Sequence, residues 1–219
     1  ELPYGISLPD NNKTYDKKIF LNNLKLQENI FTIGVFSRIE EQKGQHLVIE
    51  ALNLLLEKNI QLVIVGHCMD SSYQNSLMEM IEKYGMSHRV AFTPFIESPM
   101  ELMAMLDLII LPTYEETFGL VVAESMLMGT PVIGSNAGGV PEIISNEHNG
   151  LLFEPKNYKS LSGIELRKEC INHINLNIKK INITDDINYY KKKFDIITMF
   201  HVLEHIPYQV NTLKILKSK

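Results

Sequence analysis

Residues 30–66 read IFTIGVFSRIEEQKGQHLVIEALNLLLEKNIQLVIVG. The segment opens and closes on short runs, 30–36 and 61–66, that are apolar at nearly every position rather than at alternate ones. Runs of that kind suit strands of a parallel sheet covered on both faces. Between them, 45–58 carries its apolar residues at helical spacing. A strand, a helix and a second strand in this order form a βαβ unit. The alternation continues with apolar runs at 89–95, 106–112 and 131–135, separated by helical spacing at 72–84, 98–105 and 119–128. Right-handed crossovers then predict an α/β fold, a doubly wound, Rossmann-like parallel sheet over residues 29–155. Such sheets bind ligands beyond the carboxyl ends of their strands. The chemistry is therefore sought just after residues 36, 66, 95, 112 and 135.

The chain has 219 residues, room for one large domain or one domain and part of another. Cys68 and Cys170 are the only cysteines and lie far apart, so neither a disulfide framework nor a thiolate metal site is implied. A reducing cytoplasm fits that usage. No apolar run reaches the length of a membrane span, and no signal peptide is expected. The net charge of −5 hides a switch of sign: residues 1–156 sum to −10 and residues 157–219 to +5. Apart from Lys191–Lys193 the C-terminal lysines are scattered and no aromatic stacking pattern accompanies them, so nucleic acid is not expected as a partner. Peripheral membrane association stays open to the basic part. The switch divides the chain into residues 1–156 and residues 157–219.

The densest chemistry lies in 111–142, LPTYEETFGLVVAESMLMGTPVIGSNAGGVPE. Glu116 falls in the loop past the run 106–112, and a helix is predicted from about Leu120. Glu124 comes about one turn into that helix. Backbone N–H groups of Phe118, Gly119 and Leu120 lie between the two carboxylates. A helix N-terminus favours phosphate, and carboxylates accept hydrogen bonds from sugar hydroxyls. Alone, the two glutamates would also serve as a charge bias toward the helix dipole. Two other loops at the same sheet edge add to them. Arg38 and Lys43 follow the first run and suit a diphosphate, although singly each also reads as a solvated surface charge. Gly138 and Gly139 follow the run 131–135 and permit close backbone approach to a ligand.

Several motifs stand in order: PYGISLP (3–9), SRIEEQKGQHLVIEAL (37–52), RVAFTPF (89–95), LPTYEETFGLVVAESMLMGTPVIGSNAGGVPEII (111–144) and NGLLFEP (149–155). Together, residues 3–156 resemble the C-terminal, nucleotide-sugar-binding domain of a family 4 glycosyltransferase of GT-B architecture. The resemblance implies retaining transfer of a sugar from a nucleoside diphosphate sugar, with no metal or other cofactor required. It implies Arg38 and Lys43 on the diphosphate and Glu116 on the donor sugar. It places the N–H groups of Phe118, Gly119 and Leu120 on the phosphate and sugar, Glu124 on the ribose hydroxyls, and the backbone near Phe95 on the base. The sequence departs from the family at HCMD (67–70), where a second Gly and a Pro are usual. The acceptor-binding first domain and the closing helices after LLFEP are expected to be missing.

Residues 157–219 read as a short strand (KSLSGIEL), a helix (RKECINHINLN), then strands at IKKINIT and KFDIITMF. SGIELRKECI (162–171) and ITDDINYYKKKFDIITMFHVLEHIP (183–207) are similar to parts of a class I methyltransferase that uses S-adenosylmethionine. That resemblance implies Glu165 on the ribose of the cofactor and Asp185 or Asp186 near its adenine, without the Gly-rich loop that cradles its methionine part. His201, Glu204 and His205 also spell H-x-x-E-H, a zinc-protease pattern. The apolar run into His201 and Pro207 beyond His205 argue against a helix there, and residues 206–219 hold no third ligand. The expectation is thus the donor-binding half of a glycosyltransferase, serving surface polysaccharide synthesis. The alternatives are a fragment of a bifunctional protein with a methyltransferase activity, and a non-catalytic truncated product.

Overall fold

The run FTIGVF forms strand β1 (Phe31–Phe36), and every residue in it after Phe31 is buried. The structure, a computed structural model, describes Ile6, residues 16–55 and residues 59–164. The further strands are β2 (Ile60–Val65), β3 (Val90–Thr93), β4 (Leu108–Leu111), β5 (Val132–Ser135) and β6 (Leu151–Phe153). They make one parallel sheet in the order β3-β2-β1-β4-β5-β6. The chain winds outward from β1 to β3, then returns to lay β4 against β1 on its other side. The topological switch point therefore lies between β1 and β4.

The continuous apolar runs have a direct cause. Successive strand residues point to opposite faces, and both faces are covered. Ile33, Val35, Leu62, Ile64, Leu108 and Ile110 join one core. Its helices are α2 (Gln45–Leu54) and α3 (Ser71–Lys83). Phe36, Val63, Val65, Ile109 and Leu111 join the other. There they meet α1 (Lys17–Asn23), α4 (Pro99–Met103), α5 (Leu120–Leu127) and α6 (Val140–Ile143). Each fully buried aliphatic side chain contributes roughly 1.5–3 kcal/mol. Helix starts are marked locally: the Asp70 carboxylate accepts from the N–H groups of Ser72 and Tyr73 at the head of α3.

The KSLSGIEL stretch departs from the expected strand. Residues 158–163 form a helix, α7 (Tyr158–Gly163), packed on α2. Asn157 caps it by accepting from the Ser160 N–H, and Leu161 is buried in the α2–α3 core. A helix thus does follow LLFEP. The sheet also has a sixth strand, β6, at LLF; three residues are too few to carry a periodic signal. Of the C-terminal readings, everything from Glu165 onward lies outside the described residues, including Asp186 and the H-x-x-E-H letters, as does PYGISLP apart from Ile6.

Candidate functional site

Three loops leave the carboxyl end of the sheet and meet. The first follows β1 and carries Arg38, a short 3-10 turn (Glu41–Lys43) and Gly44, which starts α2. The second follows β4 and carries Thr113 to Gly119, ahead of α5. The third follows β5 and carries Gly138 and Gly139, ahead of α6.

The first two loops are joined across the switch point by backbone and side chains. The Tyr114 N–H donates to the Gln42 carbonyl (2.9 Å). Gly44 has φ +69°, and a Cβ there would stand 2.1 Å from the Pro112 carbonyl oxygen. Only glycine permits both the conformation and the approach. The Lys43 ammonium then donates to the Glu116 carboxylate at 3.0 Å, with the two side chains only 16% and 19% exposed.

The third loop holds Glu116 from behind. The Gly139 N–H donates to the Glu116 carbonyl (2.9 Å). Gly138 has φ +56°, and a Cβ on it would fall 1.8 Å from that same carbonyl oxygen. The close approach that the two glycines permit is therefore made to the Glu116–Thr117 backbone. They act on the site by seating the loop that presents Glu116.

Arg38 stands on the first loop with its guanidinium exposed and paired to Glu40 at 2.9 Å. Its carbonyl accepts from the buried Gln45 side chain (2.7 Å), which fixes the backbone of that loop to α2. Both expected cations are thus engaged with carboxylates at one sheet edge.

Glu124 sits half-buried in the second turn of α5, and burial pushes its carboxyl above the ordinary glutamate range. A carboxylate held short of water accepts readily from hydroxyl donors. Gly119, at φ +90°, caps α5 with no side chain in the way, and Leu120 at its head is exposed. The first N–H groups of a helix have no partner within it, so the head of α5 presents donors to an anion.

The edge of the sheet beyond β3 adds a residue that sequence reasoning passed over. Phe95 is exposed beyond β3, and the His67 ring lies stacked on it, centroids 5.0 Å apart and planes 12° from parallel. His67 stands in the HCMD departure, immediately after Gly66. Tyr114 on the second loop and His46 in the first turn of α2 were likewise missed; the Tyr114 hydroxyl and the imidazole are hydrogen-bonded to each other. Among the described residues no group of three His, Cys, Asp or Glu is placed to hold a metal.

Residues 16–164 match the family model of glycosyl transferases group 1. The chain belongs to the glycosyl transferases group 1 family. A second model, a methyltransferase domain, matches residues 145–219. The two overlap over 145–164, and there the structure shows β6 paired to β5 as part of the glycosyl transferase sheet. Among relatives of this group 1 domain is an uncharacterized glycosyltransferase of Methanocaldococcus jannaschii, 33% identical over 157 residues, 70% of this chain and 40% of that protein. The N-acetyl-alpha-D-glucosaminyl L-malate synthase of Bacillus anthracis is 32% identical over 113 residues, 52% of this chain and 29% of that protein. The crystal structure of Anabaena HepE in complex with UDP-glucose superposes with a TM-score of 0.68 at 30% identity, covering 74% of this chain and 46% of that one. The C-terminal domain of a Francisella tularensis glycosyl transferase group 1 protein superposes with a TM-score of 0.64 at 26% identity, covering 74% and 89%. The chain thus spans less than half the length of the curated relatives it matches.

Proposed function

We propose that this domain is the donor-binding half of a retaining glycosyltransferase that takes its sugar from a nucleoside diphosphate sugar. One observation carries the reading. The Lys43–Glu116 pair straddles the switch point between β1 and β4, with the head of α5 beside it. Lys43 and Arg38 would hold the diphosphate, and with the α5 N–H groups they would stabilise the charge that develops on it as the glycosidic bond breaks. Glu116 would accept from a hydroxyl of the sugar, and Glu124 from the ribose hydroxyls. The His67–Phe95 stack would face the base. HepE, which binds UDP-glucose, supports a uridine nucleotide among the candidate donors.

The chemistry is proposed to need no metal. The acceptor would bind to the part of such proteins that these residues do not match. Surface polysaccharide synthesis in the cytoplasm is the role we assign to the whole enzyme. Calorimetry of the chain with UDP-, GDP- and ADP-sugars tests the donor reading, with and without EDTA. Binding of one of them in the millimolar range or tighter supports it; no heat from any at millimolar concentration sinks it.

The methyltransferase-model match to 145–219 favours a second reading, a bifunctional protein. Glu165 and Asp186 would then serve S-adenosylmethionine, whose chemistry is methyl donation. Photo-crosslinking of labelled S-adenosylmethionine checks this, and an unlabelled chain rejects it.

A further inference from the structure

One polar cluster beside the site takes no part in the donor contacts above. His46 lies in the first turn of α2, three residues past Lys43. Its Nδ1 is 2.8 Å from the Tyr73 hydroxyl on α3, and its Nε2 is 2.7 Å from the Tyr114 hydroxyl on the β4–α5 loop. Both tyrosine rings stand edge-on to the imidazole, each with centroids 5.9 Å away and planes at 89°. Tyr114 is two residues before Glu116. The imidazole therefore bridges the helix that follows Lys43, the neighbouring helix α3 and the loop that presents Glu116.

The direction of the hydrogen bonds follows from counting donors. The Tyr73 oxygen accepts from the backbone N–H of His46 (3.2 Å). Tyr73 is buried, a second backbone N–H, that of Gln45, also points at its oxygen, and the acceptor its hydroxyl meets among the described residues is Nδ1. The hydroxyl proton goes to Nδ1, so the neutral ring carries its own proton on Nε2 and donates it to Tyr114. In the opposite tautomer the Tyr73 proton would have no acceptor among the described contacts, which is costly for a buried hydroxyl.

We propose that His46 is a positioning residue. Neutral, and anchored on Tyr73, it holds Tyr114 and so keeps the Glu116 loop in register with Lys43. The proposal rests on the reading of that pair as part of the donor site. Tyr114 is otherwise tied to the first loop by its N–H on the Gln42 carbonyl, and Lys156 lies over the outer face of its ring, 4.7 Å from the centroid. Among the described residues the Tyr114 hydroxyl thus has one polar anchor toward the core, and it is His46.

The surroundings favour the neutral ring. Burial holds the His46 imidazole below its ordinary range, against the pull of Glu50 on α2 and Glu41 on the preceding turn. Among the described residues it meets the Tyr73 hydroxyl from α3 and Tyr114 from the β4–α5 loop, with the Lys156 cation beyond. Protonation at Nδ1 would reverse the Tyr73 bond and strand that hydroxyl proton.

The test compares His46→Ala, His46→Gln and Tyr114→Phe with the wild-type chain. Hydrogen exchange of residues 112–118 reads loop register without any ligand. Loss of one neutral hydrogen bond predicts that exchange there rises about threefold to tenfold in His46→Ala and Tyr114→Phe. Exchange in β2 and β3 stays unchanged, and His46→Gln recovers part of the protection. Nitrogen NMR of the wild-type imidazole shows the Nε2–H tautomer. Calorimetry with UDP and UDP-glucose then shows the sugar nucleotide weakened more than UDP, because Glu116 is the group displaced. Unchanged exchange at 112–118 in the conservative Tyr114→Phe, or an Nδ1–H imidazole, overturns the proposal whatever the chain binds. Loosened exchange together with no nucleotide binding by wild type would uphold the positioning role and reject the donor reading instead.

Discussion

Replacing Lys43 by Met should weaken UDP binding and replacing Glu116 by Gln should not, although the two form a single ion pair. At a contact of 3.0 Å the gross attraction between the charges is large. It is about 4 kcal/mol for charge centres about 4 Å apart at an effective dielectric of about 20. Most of that is offset by removing both ions from water. Breaking such a pair costs roughly 0–1 kcal/mol at the surface and about 3–5 kcal/mol when fully buried. With side chains 16% and 19% exposed, this one falls between. Lys43→Met should therefore lower the unfolding free energy by about 1–2 kcal/mol, leaving Glu116 without its partner.

Binding discriminates more sharply. Removing one charge-assisted hydrogen bond to a diphosphate costs about 1.5–3 kcal/mol, or about 10- to 100-fold in Kd. Because the diphosphate must first displace Glu116 from Lys43, the lower end is expected. Glu116→Gln removes that competitor, so UDP should bind as well as before or more tightly. UDP-glucose should gain less or lose affinity, since the sugar hydroxyl loses a charged acceptor. Calorimetry with both ligands, beside urea unfolding, measures every arm. The reasoning is refuted if Lys43→Met binds UDP within about twofold of wild type, a difference of only ~0.4 kcal/mol. It is equally refuted if Glu116→Gln weakens UDP as much as Lys43→Met does.

Glu124→Gln should leave the free chain at least as stable at pH 7. The native carboxyl titrates above its unfolded value, so the native state binds more protons in that window and Glu124 subtracts stability as pH rises through it. Urea unfolding at pH 4.5 and 7.5 should show a smaller loss with rising pH in the variant, while UDP affinity falls and pyrophosphate affinity does not. Phe95→Ala should remove the face on which His67 stacks; base–aromatic stacking is worth roughly 1–3 kcal/mol, so UDP should weaken about 5- to 100-fold with pyrophosphate unaffected. Leu161→Ala should cost about 2–5 kcal/mol by urea unfolding, because Leu161 is 3% exposed in the α2–α3 core; a change under about 0.5 kcal/mol would show that α7 is not part of the fold.

What could be read in the sequence divides along a physical line. The five longer strands were legible because a sheet covered on both faces makes every strand residue pay its way in apolar surface, as Leu108 and Ile110 do on one side and Ile109 and Leu111 on the other. KSLSGIEL was misread because α7 buries a single leucine. Its helical signal is the Asn157 cap, a local hydrogen bond with no periodicity. Glu116 and Glu124 were legible for a similar reason, since one loop and one helix turn set their separation. His46, Tyr73 and Tyr114 were not. They lie 27 and 68 residues apart along the chain from His46, and nothing local marks them. What brings them together is the register of β1 against β4 and the packing of α2 on α3. Groups proposed to touch the donor cluster at loop starts, where a motif can show them. Groups that hold those loops in place are recruited from neighbouring helices, and only the assembled sheet reveals them. The Lys43–Glu116 pair belongs to both classes, which is why its two halves were visible separately and their contact was not.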